Sequence, residues 1–459
     1  MGKFLLAIVA GAIAYFFAYM NTNDFLFAPW NFTWAVCHHM KYNCYDTLTF
    51  WENFLIDNID WELESRTYFK MNKGGRYEAP EMDAKDGFSF EKLKVLTNDF
   101  TTPAVVRGLF AGTEAVKQWT PEYFKENFGN DTLIVLENGG VIDAEKHASG
   151  AMTDAMKTYT SQSPKKCESG YANVQKAKEM TVEEAVNGML SGKKYYLSNV
   201  DTIFRKHNDL LDMVQLTERM SPWAYPDYRP SAAQIFMGFG HKDKAQTTGT
   251  SLHCAWGTNA FCQIAGHKSW EFIPSRYAAF LQPQQSSKFP AAVGLKMPDF
   301  VPRFTTTLHP GDMMLNPSWM WHRIFNNEGF NLGIATRENH PLWQFRNAPG
   351  MTMLHEFGGD NQVSSDAIDW LLKNETESQK KRIKFFMSIP MLSFSLTYIK
   401  EFFGGLSPHP MMDAWSNTCD EHDPRCAASF YDRMVYSYDE CIKGQNEGKV
   451  EEVQAEAAN

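Results

Sequence analysis

Between residues 234 and 338 the chain is a succession of short apolar and β-branched runs cut by Gly, Pro and Asn. Such punctuation excludes long helices there. It is the pattern of a sandwich or barrel, whose strands turn back every few residues and bury alternate side chains. The flanks read differently. Residues 90–96 have helical spacing, 103–109 read as a strand, 119–128 as a helix and 132–136 as another strand. Thr181-Val182-Glu183-Glu184 is a capping-box start for a helix running to about Leu190, and a strand follows at 194–197. Beyond Pro341 the pattern becomes amphipathic and helical, as at 367–372 and 380–386. The expected fold class is therefore mainly β with flanking α.

The organisation this implies is a targeting segment at 1–20, a stem at 21–87, a compact domain at 88–345, a helical extension at 346–443 and an acidic Ala/Gln-rich tail at 444–459. Residues 140–175, polar and rich in Gly, Ser and Lys, read as an excursion loop, and the tail as disordered. The apolar stretch 385–399 holds Pro390 and is short for a bilayer, which favours packing helices or a homodimer contact.

At the N-terminus, Lys3 precedes an uncharged run over residues 4–20, and Asp24 follows. That charge order directs the following chain to the lumen of the secretory pathway. A single-pass anchor fits the run, and so does a cleaved signal, since Ala10, Ala12 and Ala14 offer small-residue sites. Leu6 stands where an N-myristoylation motif needs Ser or Thr. Sequons at Asn31, Asn130 and Asn374 agree with a glycoprotein. Of 8 cysteines, Cys254 and Cys262 lie in the strand region; Cys37, Cys44, Cys167, Cys419, Cys426 and Cys441 lie outside it. In an oxidising compartment the outer ones can form bridges, with the pairing open, and none has the spacing of a zinc site. With a net charge of −10 and no basic stripe, nucleic acid is excluded as the main partner.

The chemistry concentrates in two segments. One runs from Thr250 to Trp270 and contains His253, Cys254, Ala255, Asn259 and Lys268. The other runs from Leu308 to His322 and contains Gly311, Asp312, Pro317, Trp321 and His322. Mononuclear Fe(II) oxygenases bind the metal with two imidazoles and usually one carboxylate, leaving the opposite face open for a keto acid and O₂. An H-x-D on one strand and a distant His on its neighbour supply this set, because positions one and three of the triplet share a face.

The two segments resemble the JmjC and cupin-like 2-oxoglutarate oxygenases, most of all the asparaginyl hydroxylase type that acts on hypoxia-inducible factor. In that group the proximal strand reads roughly H-x-D-x-x-x-N-x-F-x-Q-I-x-G-x-K. His253, Asn259, Phe261, Gln263, Ile264, Gly266 and Lys268 stand in register with it. The distal pattern, roughly G-D-x-x-x-x-P-x-x-W-x-H, is met by Gly311, Asp312, Pro317 and His322, with Trp321 one place beyond the pattern's Trp. Pro103 to Leu109, then Trp119, Tyr123 and Gly129, resemble the opening segment of the family. The resemblance covers about residues 88–345 and implies a double-stranded β-helix, the cupin jelly roll. It also implies His253 and His322 as metal ligands and Lys268 and Thr250 on the distal carboxylate of 2-oxoglutarate. Asn259 would line the cosubstrate side, and Arg337 would be a second carboxylate partner. The plain alternatives are core histidines, a strand-end lysine, a turn-stabilising Asn259 and a surface Arg337. Gly311-Asp312 and Trp321 read as a tight turn and a core aromatic.

At position 255 the family's Asp is replaced by Ala, which cannot ligate a metal. Three outcomes follow: a catalytically inactive binding or scaffold module, a hydroxylase with an altered site, or a halogenase-like site in which chloride takes the vacated place. Alternation along the strand aims Cys254 away from the site, so it is no substitute ligand. The substrate, a peptide side chain by family analogy or a small molecule, is not legible.

Overall fold

The structure, a computed structural model, describes residues 27, 29–30, 33, 45–60, 76–137, 177–200, 202–207, 209–220, 233–243, 247–255, 257–281, 284–285, 291–293, 297–338 and 347–348. The strands in chain order are β1 (Arg76–Glu78), β2 (Glu81–Asp83), β3 (Ala104–Arg107), β4 (Thr132–Leu136), β5 (Ala177–Thr181), β6 (Tyr196–Val200), β7 (Ala233–Gly240) and β8 (Gly249–Ala255). They continue with β9 (Thr258–Ala265), β10 (Lys268–Ile273), β11 (Gln284–Gln285), β12 (Ala291–Val293), β13 (Arg303–Leu308), β14 (Met313–Asn316), β15 (Trp321–Asn326) and β16 (Gly329–Glu338). They form two sheets, ordered β1-β13-β10-β15-β8-β12-β11 and β2-β3-β14-β9-β16-β7-β6-β4-β5. From β7 to β10, and again from β13 to β16, successive strands alternate between the sheets, while β11 and β12 stay in the first sheet; such alternation is how a jelly roll closes a sandwich.

Strand alternation builds three apolar layers. Between the sheets lie Val105, Tyr196, Phe236, Phe261, Trp270, Phe272, Phe304, Met314, Ile324 and Ala335. The residues between them on the same strands, such as Val106, Ile235, Ala260, Cys262, Met313 and Ile334, face outward under the helices Pro121–Phe128 and Val182–Leu190. Behind the first sheet, Leu252, Cys254, Ile273 and Trp321 pack with Phe27, Trp30, Leu55 and the short helix Ala278–Leu281. Each large side chain fully buried in these layers stabilises the fold by about 1.5–3 kcal/mol.

The helix expected at 90–96 is present as Phe90–Leu96, capped by Ser89, and the capping box at Thr181 and Glu184 is formed as the sequence predicts. The strand expected at 194–197 is displaced to Tyr196–Val200. The stem reading of 21–87 needs correction: β1 pairs in parallel with β13 and β2 with β3, so residues 76–83 belong to both sheets. These strands are too short and too polar to announce themselves; the sheet edges they join create them. The targeting run at 4–20, the excursion loop at 140–175, the helices beyond 346 and the tail lie outside the described residues. So do Cys37, Cys44, Cys167, Cys419, Cys426 and Cys441. Among the described residues no helix is long and apolar enough to cross a membrane.

Candidate functional site

β8 and β15 are antiparallel neighbours, and their register sets His322 opposite His253. The two imidazole centroids lie 4.2 Å apart. One cation held at about 2.1 Å from a nitrogen of each ring fits easily within that separation. Each ring is oriented the same way. His253 Nδ1 lies 2.8 Å from the Ser251 carbonyl, and His322 Nδ1 lies 2.8 Å from the Met320 carbonyl. A carbonyl only accepts, so each Nδ1 carries the proton and donates it. The lone pair is then on Nε2, the tautomer that a metal-binding histidine needs.

The β8–β15 register shifts between these residues. Two steps along β15, from His322 to Ile324, correspond to three along β8, from His253 to Thr250. A bulge of this kind reverses the strand's phase. It brings Thr250, an odd number of residues from His253, to the interior, where its hydroxyl lies 3.4 Å from the Tyr196 hydroxyl. Leu252 and Cys254 stay on the outer face, as alternation predicts for Cys254.

Lys268 begins β10 and is completely buried. Among the described residues its Nζ has no hydrogen-bond partner. It lies 4.8 Å from the ring centre of Phe261, 5.6 Å from Phe236 and 5.8 Å from Tyr196. Loss of water brings its pKa down from 10.5 to about 7, because burial disfavours the charged form. An ordinary strand-end lysine would reach solvent. This one is enclosed by aromatic faces that tolerate a cation but do not neutralise it.

The two ends of the site share one chain of rings. Trp270 stacks on His322 at 5.8 Å and meets Phe261 at 5.1 Å, and Phe261 in turn covers Lys268. Gly333 makes room for this arrangement, since a Cβ there would fall 2.3 Å from the Phe261 ring. Gly266, at φ 69°, turns β9 into β10 just ahead of Lys268.

Asn259 is buried within β9, which removes the turn-residue alternative; it pairs with Asn316 of β14. Both side-chain oxygens are buried without a partner among the described residues. The Asn316 Nδ2 lies 3.2 Å from His322 Nδ1; with that nitrogen protonated toward the Met320 carbonyl this is a donor beside a donor, not a hydrogen bond. The turn ahead of His322 is strained: Trp319 has φ 59°, held by its N–H donating to Ala255 O at 2.8 Å and by the Ser275 hydroxyl donating to its carbonyl at 2.6 Å. Ala255 lies two residues from His253, with no carboxylate to offer. Among the described residues no group of three His, Cys, Asp or Glu side chains is placed to hold a metal.

Asp312 is architectural. Its carboxylate accepts from Arg107 Nη1 at 2.6 Å, Gly108 N–H at 3.0 Å and His309 N–H at 2.9 Å. Trp321 is a buried member of the outer core. Arg337 stands opposite Asn259 in the β16–β9 pairing; its side chain lies outside what is described. Sequence reasoning missed Tyr196 and Phe236, which come from strands remote in sequence, and Asn316, which lies inside the distal segment on a strand of the facing sheet.

The arrangement fits a divalent cation at the histidines with two protein ligands rather than three. It fits an anion at Lys268, whose orphaned ammonium is the clearest mark of a missing partner. Residues 99–336 match the family model described as a cupin-like domain. No curated protein matches the chain.

Proposed function

The chain belongs to the cupin-like domain family, and on that premise we propose that it is an Fe(II)/2-oxoglutarate oxygenase-type protein of the secretory pathway, hydroxylase-like in its ancestral chemistry. The observation that carries this reading is the buried ammonium of Lys268, unpartnered among the described residues, in the same interior as two imidazoles of matching tautomer. An acidic group is what that cavity lacks, and a dicarboxylate supplies one.

When bound, Fe(II) and 2-oxoglutarate supply oxidation of a C–H bond, with succinate and CO₂ as coproducts. The chain's own residues do the rest. His253 and His322 offer Nε2 lone pairs, their Nδ1 protons fixed on backbone carbonyls. Lys268 binds a carboxylate as a charge-assisted pair, and the Thr250 hydroxyl adds a hydrogen bond to it. Tyr196, Phe236 and Phe261 keep water from the pair, which strengthens it. Asn259 lines the cosubstrate side, and Arg337, opposite it in the β16–β9 pairing, is the residue assigned as a second carboxylate partner.

Ala255 favours a second reading, a catalytically inactive cupin-like module that still binds the dicarboxylate and serves as a lumenal binding or scaffold protein. A halogenase-like variant would use chloride at the place of the missing carboxylate. The experiment is to load the chain with Fe(II) without oxygen, then follow 2-oxoglutarate binding and, on admitting O₂, succinate release with and without chloride. Release that needs Fe(II) and disappears in Lys268→Met is the expected result. Binding without release selects the inactive module, and release that needs chloride selects the halogenase-like one. No binding of 2-oxoglutarate overturns the proposal. The secretory route is supported by the run at 4–20 and by the exposed Asn130 of the Asn130-Asp131-Thr132 sequon. A gel shift on deglycosylation, reduced in Asn130→Gln, tests it. The substrate class, a peptide side chain by family analogy, is decided by which added peptide or small molecule couples to succinate release.

A further inference from the structure

The charge balance of this pocket has a consequence for how it fills. The groups that define it are neutral or positive: two imidazoles with protons on Nδ1, the ammonium of Lys268, the hydroxyls of Thr250 and Tyr196, and the carboxamides of Asn259 and Asn316. The buried acids among the described residues are committed elsewhere. Glu271 faces outward against Arg323 at 2.5 Å, Asp312 holds Arg107, and Glu52 sits on the helix Tyr45–Asn58. No described carboxylate stands between the histidines and Lys268 to offset a cation.

A divalent cation entering alone therefore brings two positive charges into a water-poor interior that already holds an ammonium. Uncompensated charge in such a place is costly. A dicarboxylate entering alone meets the ammonium of Lys268 and, on the reading above, Arg337, but no metal charge at the histidines. Entering together, cation and dianion cancel each other, and each removes the penalty on the other. The orphaned carboxamide oxygens of Asn259 and Asn316 can solvate the pair but contribute no charge.

We infer that this pocket binds a divalent cation and a 2-oxoglutarate-like dicarboxylate cooperatively, each tightening the other, the dianion replacing the charge that Ala255 does not provide. The inference rests on the dicarboxylate reading given above and specifies how its two occupants are coupled. Binding free energies couple reciprocally, so the dicarboxylate must raise metal affinity by the same factor as the metal raises dicarboxylate affinity.

The test uses the full chain and redox-silent Mn(II), with free Mn(II) measured by its EPR signal, with and without saturating 2-oxoglutarate. The expected result is at least about a tenfold tightening of Mn(II) by 2-oxoglutarate, within the usual range of such couplings, and the same factor in the reverse titration. Ala255→Asp should tighten Mn(II) on its own and shrink the factor. Equal Mn(II) affinity with and without 2-oxoglutarate, both ligands binding, overturns the inference while leaving the oxygenase reading intact. No 2-oxoglutarate binding under any condition overturns both.

Discussion

Across the β8–β15 pairing, His253 faces His322 with ring centroids 4.2 Å apart and both Nδ1 atoms donating to the carbonyl two residues upstream. A pair of plain core histidines would have no reason to adopt one tautomer by the same local device. The backbone itself presets both Nε2 lone pairs.

Replacing Lys268 by Met keeps the shape of the stem and removes the buried charge. The ligand-free protein should gain about 1–3 kcal/mol in urea unfolding at pH 6, where the lysine is charged. Binding of 2-oxoglutarate should be lost in the same variant. A stabilised protein that still binds the dicarboxylate would remove Lys268 from the site.

The pH dependence has a definite sign. The folded amine releases its proton near pH 7, against 10.5 for the ordinary group. Between those values the unfolded chain holds more protons, so unfolding free energy rises with pH, by at most about 1.4 kcal/mol per pH unit from this group. The burial penalty is full below pH 7 and relieved toward 10.5. Comparing urea midpoints of wild type and Lys268→Met at pH 7, 8 and 9 isolates this slope, since other titrating groups are common to both. A bound dicarboxylate should restore the charge and draw in a proton above pH 7, detectable as a buffer-dependent heat of binding.

Gly333→Ala places a methyl 2.3 Å from the Phe261 ring. Overpacking of this kind costs about 1–3 kcal/mol. Because Phe261 covers Lys268, 2-oxoglutarate affinity should fall as well. Thermal unfolding together with a binding titration checks both. An unchanged affinity would mean that the aromatic enclosure does not shape the anion site.

Asp312→Ala should destabilise by about 1–3 kcal/mol, because two backbone N–H groups lose their acceptor, while Arg107 keeps Glu81 at 2.7 Å and the Thr307 carbonyl at 2.8 Å. Since Asp312 lies away from the histidines, Mn(II) affinity in the fraction that stays folded should not change. Denaturant melts and Mn(II) titration separate the two effects.

The sequence was most legible where chemistry and strand period coincide. His253, Lys268 and His322 are separated by Gly266 and Pro317 turns that return the chain to the same sheet, so their convergence follows from the strand pattern once a barrel is assumed. The interior place of Thr250 could not be derived from alternation, because a bulge reverses the phase of β8 between it and His253. Tyr196 and Phe236 come from β6 and β7 and carry no motif; only the sheet order brings them over Lys268. The edge strands Arg76–Glu78 and Glu81–Asp83 were hidden for a related reason, since their pairing partners lie more than twenty residues away and their own composition is polar.

Pulsed EPR of Mn(II) bound together with 2-oxoglutarate reads the imidazole nitrogens at the metal directly. Modulation from two imidazoles is expected, falling to one in either His253→Ala or His322→Ala. Modulation that both variants leave unchanged would place the cation elsewhere and contradict the account.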